Sequence, residues 1–99
     1  MNQQLDESGA FVLNGELTFD TVPEIYRDTT RWLPQDDRFR SVDLSNVERV
    51  DSAGLSLLLD WQSSAQLRQR RLQFDNPPLE LVRLAALCGA DALLGFDRS

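Results

Sequence analysis

Histidine and lysine are both missing from this 99-residue chain, and cysteine occurs once. Without histidine there is no imidazole to serve as a general base near neutral pH or as a metal ligand. Without lysine there is no phosphate loop ending in Gly-Lys and no amine nucleophile. A serine here would have neither histidine nor lysine to activate it, so serine-hydrolase chemistry falls away. Metal binding needs clustered carboxylates, and Asp36-Asp37 alone is not a site. The expectation is a protein that is not an enzyme and carries no cofactor or metal. The single Cys88 cannot form a disulfide within the chain, which suits a reducing compartment. No apolar run approaches the ~20 residues of a membrane-spanning helix. The opening Met1-Asn2-Gln3-Gln4 is polar and lacks the pattern of a signal peptide. A cytoplasmic protein with no direct membrane insertion is expected.

Charge excludes a further group of partners. All 10 basic residues are arginine, against 16 acidic ones, for a net charge of −6. Nucleic acid and anionic membrane surface would be repelled on average, whereas a basic protein patch would be attracted. The length suits one domain, residues 1–99, with one modest core.

The periodicity changes along the chain. Ala10-Phe11-Val12-Leu13 reads as a strand. Asn14-Gly15 suits either a tight turn or a bulge through which the strand continues to Phe19. Thr21-Val22-Pro23-Glu24 has the form of a capping box, and apolar spacing predicts a helix over residues 22–33, ended by Pro34. A charged loop follows. Ser41-Val42-Asp43-Leu44-Ser45 alternates as a half-buried strand, and residues 46–50 read as a connector. Asp43 is expected to end that strand and bond nearby backbone. A second helix is expected over residues 53–69, a strand over 71–75, a loop at Asn76-Pro77-Pro78, and a third helix over 79–88 capped by Gly89. Leu93-Leu94-Gly95-Phe96 is apolar enough to dock on the body. Strand and helix alternate three times, which predicts an α/β layer with right-handed crossovers.

Asp51-Ser52-Ala53-Gly54-Leu55 sits where connector becomes helix. One reading is purely local. Serine is a favoured N-cap, aspartate suits the positive end of the helix dipole, and glycine permits close backbone approach. The other reading is functional. A hydroxyl beside unpaired backbone N–H groups is a natural place for an anion, an added phosphate or a docking partner.

Val42-Asp43-Leu44-Ser45 through Asp51-Ser52-Ala53-Gly54-Leu55 resembles the signature of STAS domains, with support from Leu57-Leu58-Leu59, Leu72-Gln73-Phe74 and Asn76-Pro77. The resemblance extends from about Gly9 to Phe96. It implies an α/β STAS fold, with a central mixed sheet of four to five strands and three to four helices mainly on one face. Within STAS domains the closer resemblance is to the MlaB type, the accessory subunit of a phospholipid-transporting ABC complex. That implies a cytoplasmic adaptor for the ABC transporter ATPase subunit (MlaF-like) at the inner membrane, with Ser52 in the contact. MlaB-type proteins often carry threonine there. Serine is usual in the alternative subclass, the anti-sigma factor antagonists, where phosphorylation of Ser52 would be the switch. A third possibility, a nucleotide or lipid ligand on the same surface, finds no phosphate-loop or cavity signal.

At ~100° per residue, Leu55, Leu58 and Leu59 share the core face of the second helix. Gln62 falls inside that arc with no evident reason. Leu57, Trp61, Ser64 and Arg68 form a neighbouring stripe. Trp61 suits either packing on the sheet edge or an interface anchor, and Leu57 is expected to be the more exposed of the two. The expected contact surface is Asp51, Ser52, Ala53, Gly54, Ser56, Leu57 and Trp61, with Asp60 on the rim. Cys88 is expected to be a buried small apolar group. Tyr26 and Trp32 are expected to be half-buried on the first helix.

Overall fold

Apolar residues at every second position build the centre of the molecule, a four-stranded sheet in the order β1-β2-β3-β4. The computed structural model describes residues 4–5, 10–29 and 40–97. Strand β1 (Gln4–Leu5) runs antiparallel to β2 (Ala10–Leu17), and β3 (Ser41–Val50) and β4 (Gln73–Asp75) continue parallel to β2. Helices α1 (Val22–Thr29), α2 (Ser52–Leu67), α3 (Leu79–Leu87) and α4 (Asp91–Leu94) fall between and after the strands. Three parallel strands carry the sheet, and no fifth strand occurs among the described residues. Phe11, Leu13 and Leu17 of β2, with Val42, Leu44, Val47 and Val50 of β3, are buried, while their alternate neighbours are not. One sheet face is therefore the covered one.

Strand β3 is twice as long as its alternation suggests, because residues 46–50 continue the strand rather than connect it. Between Val12 and Asn14 of β2 the partner residues on β3 advance from Asp43 to Asn46, and between Gly15 and Glu16 they advance from Val47 to Arg49. Each step adds one residue to β3, so two bulges change the spacing of buried residues from two to three. On the β2 side, Asn14-Gly15 stays within the strand, with Gly15 at φ +87°. Asp43 lies within β3 and does not end it. Its Oδ1 accepts from the N–H of Ser45 at 3.0 Å and from Asn76 Nδ2 at 3.2 Å.

Helix α1 begins at Val22, but Thr21 does not form the expected capping box. Its Oγ1 accepts from the N–H of Thr18 at 3.0 Å and donates to the Glu16 carbonyl at 2.7 Å, so the side chain closes the preceding turn instead. The predicted extension of this helix to Leu33, the stop at Pro34, Trp32 and the Asp36-Asp37 loop lie outside the described residues. Strand β4 starts at Gln73, two residues later than expected.

Helix α2 is the hub. Gly54, Leu55, Leu57, Leu58, Trp61, Gln62 and Ala65 are all buried, an arc much wider than one stripe. Leu57, expected to be exposed, is only 3% exposed, and of the two readings of Trp61 the packed one holds, the side chain being 1% exposed with its ring edge-on to Phe11 at 5.8 Å. Gln62 is explained by the strand edge. Its Nε2 donates to the carbonyls of Leu72 (3.1 Å) and Leu93 (3.0 Å), and its Oε1 accepts from the N–H of Leu72 at 2.9 Å. One buried amide thus satisfies backbone groups leading into β4 and in α4.

Helices α2 and α3 end in the same way. Arg70 N–H bonds the Ala65 carbonyl and Gln69 N–H bonds Gln66; Ala90 N–H bonds Ala85 and Gly89 N–H bonds Ala86. Both are Schellman endings, with a left-handed residue that is Gln69 (φ 59°) in one and Gly89 (φ 70°) in the other. Cys88 is exposed at the end of α3, contrary to expectation, because this turn carries it past the core. Leu94 is buried and Phe96 packs edge-on to Phe74 at 6.5 Å, so the tail docks as its composition suggests.

Candidate functional site: the start of helix α2

Strand β3 delivers the chain to Asp51, which caps α2, a role the local reading gave to Ser52. Asp51 Oδ1 accepts from the N–H of Ala53 at 2.9 Å and of Gly54 at 3.3 Å, and Oδ2 accepts from the N–H of Phe19 at 2.8 Å. Its own N–H donates to the Leu17 carbonyl at 3.1 Å. The carboxylate therefore fastens the β2–α1 turn to the start of α2. Its pKa is lowered from 3.8, first by the Phe19 N–H and then by those of Gly54 and Ala53, against the opposing effect of burial.

With the cap supplied by Asp51, Ser52 is the first helical residue and is exposed, as is Ser56 one turn on. Ala53 is half-buried. Gly54 is buried against Leu17. A Cβ at that position would run into the Leu17 carbonyl oxygen and lie 2.8 Å from the Leu17 Cβ, so only glycine fits without a shift of β2. Asp60 is exposed, as a rim residue should be. Of the seven expected contact residues, Ser52 and Ser56 face outward. Asp51, Ala53 and Gly54 shape the turn beneath them, and Leu57 and Trp61 are buried in the core.

The expected surface leaves out α1. Beside Ser56 lies an open, mainly apolar hollow of about 520 Å³ between α1 and α2. Phe19, Val22 and Tyr26 form one wall, Ser56 and Asp60 the other, and Leu57 lies at its floor. Phe19 is 79% exposed and Tyr26 44% exposed. Sequence alone gave Phe19 no such role, because an aromatic residue after a strand reads as its continuation. The signal available was Thr18-Phe19-Asp20-Thr21, a polar setting for a large apolar ring.

Among the described residues no group of three or more His, Cys, Asp or Glu side chains is placed to hold a metal ion. No described helix is long and apolar enough to cross a membrane.

A mainly parallel sheet backed by a helical layer, with an Asp-Ser-x-Gly turn opening the central helix, defines the class, and comparison with known proteins assigns the family. The MlaB-type STAS family model matches residues 1–95, and the chain belongs to that family. A protein of Thermotoga maritima described as an anti-sigma factor antagonist shares the fold. Its TM-score is 0.76 at 17% identity, over 93% of this chain and 80% of that one. The anti-sigma factor antagonist SpoIIAA, in its unphosphorylated form, aligns with a TM-score of 0.69 at 18% identity, over 92% of this chain and 82% of that one. At these identities the likeness concerns fold. No curated protein matches the sequence.

Proposed function

We propose that this chain is a non-enzymatic adaptor. It binds the cytoplasmic ATPase subunit (MlaF-like) of a phospholipid-transporting ABC complex and stabilises or tunes it. The docking surface is the exposed start of α2, and the partner holds the adaptor at the inner membrane. The MlaB-type family match over residues 1–95 carries this reading. The exposed hydroxyl of Ser52 supports the location, since the cap below it belongs to Asp51 and leaves that oxygen available to a partner. The test is co-purification with the ATPase subunit. Ser52→Asp places an acid in the first turn of α2, where the helix dipole favours it, so folding is retained. Binding is expected to fall at least tenfold, because a bulkier, strongly hydrated group replaces the small hydroxyl where the partner packs against it. Undiminished binding by this variant removes Ser52 from the interface.

The likeness to anti-sigma factor antagonists favours a second reading, in which phosphate on Ser52 switches binding off. Phosphate there would gain the helix N-terminus and face the Asp51 carboxylate. Intact mass of the protein from its native cell separates the two. An added phosphate on Ser52 favours the switch, and an unmodified mass with ATPase recovered favours the adaptor.

A further inference from the structure

We infer that the hollow between α1 and α2 receives an apolar side chain from a basic segment of the ATPase subunit, and that Phe19 is the principal anchor of the contact. This deepens the adaptor reading and rests on it. Three observations support it. Phe19 and Tyr26 stand 79% and 44% exposed on one wall of an apolar depression, where an isolated soluble surface loses water-ordering cost by covering them. Large aromatic residues around such a depression dominate binding when a partner fills it.

The second observation is rigidity. The Phe19 N–H is held by Asp51 Oδ2 at 2.8 Å, and the turn behind it is closed by Thr21 Oγ1 on the Thr18 N–H and the Glu16 carbonyl. The ring therefore projects from a backbone fixed to the same cap that presents Ser52. A side chain mounted on ordered backbone loses less freedom on binding.

The third is charge. Asp60 lines the hollow, and Asp20 and Glu24 are exposed beside Phe19 and Pro23; Arg27, next to Tyr26, is the nearest basic residue in sequence. An acidic rim around an apolar centre fits a segment with an apolar residue flanked by arginine or lysine. It disfavours an acidic segment.

The experiment measures the affinity of the purified chain for its ATPase subunit, with Phe19→Ser, Asp60→Arg and Leu87→Ser. Leu87 is 86% exposed but does not line the hollow, so its variant controls for loss of any exposed apolar group. Phe19→Ser leaves the backbone bond to Asp51 in place, and thermal melting checks that each variant is folded. The expected result is a loss of tenfold or more for Phe19→Ser, a smaller loss for Asp60→Arg that shrinks with added salt, and no change for Leu87→Ser. If the ATPase binds the unsubstituted chain and Phe19→Ser equally, the hollow is not its seat, while the adaptor reading stands. If the unsubstituted chain does not bind the ATPase, both fail. If the free chain is a dimer that Phe19→Ser dissociates with no effect on ATPase affinity, the hollow serves a second copy and the inference is overturned.

Discussion

A single carboxylate, Asp51, receives backbone N–H groups from its own helix and from Phe19, 32 residues away in sequence. Its depressed pKa ties that arrangement to pH. The folded state holds the ionised form more tightly than the unfolded chain does, so the contribution is complete above the ordinary value of 3.8. As pH drops, the unfolded chain takes up the proton first, and the contribution is lost as pH falls through the folded value. Asp51→Ala is expected to cost about 0.5–2 kcal/mol near neutral pH, the range for a lost N-cap, measured by urea unfolding. Asp51→Asn keeps a capping oxygen but has no charge to titrate. The stability difference between it and the parent protein should be constant above about pH 5 and shrink toward pH 3. A difference that ignores pH across that window would mean the carboxylate's ionisation does not serve the fold.

At the scale of elements, the paired helix endings allow a direct comparison. Gly89 adopts its left-handed turn without penalty, whereas Gln69 holds the same conformation with a Cβ. Gln69→Gly is expected to raise stability by about 0.5–1 kcal/mol, seen as a higher urea midpoint with an unchanged slope. The alternation of strand and helix from β2 to α3 was legible in the apolar patterns of those segments, whereas the two-residue β1 and four-residue α4 are too short to carry a period. The length of β3 was not, since two inserted residues replace its alternation with a spacing of three. Leu57 and Trp61 were misplaced for a related reason. Periodicity marks where one helix face begins, but not how many neighbours surround it, and α2 is enclosed by the sheet and by α1, α3 and α4. Asp51-Ser52-Ala53-Gly54 stood out in sequence, yet the cap belonged to the aspartate, because Phe19 supplies a distant partner that no local pattern contains. Gln62 looked anomalous for the same reason, as the groups it satisfies lie 10 and 31 residues away.

For the molecule as a whole, a net charge of −6 and an isoelectric point near 4.4 set how it meets other proteins. Long-range attraction acts mainly on the rate of encounter with a basic partner. Association with the proposed ATPase partner should slow several-fold between about 50 and 500 mM salt, with a much smaller change in dissociation, as the Debye length falls from over 10 Å to about 4 Å. Stopped-flow or surface-binding kinetics would read this directly, and a salt-independent rate would mean the charge plays no part. The bulges of β3 matter at this scale too. Sliding β3 along β2 by one position would set its extra residues opposite the wrong partners and turn Val42 and Leu44 away from the helices. The central strand pair consequently has one seat only. A chain that cannot slip has no half-open state from which to trade strands with its neighbours, so high concentration alone gives it no route to strand exchange.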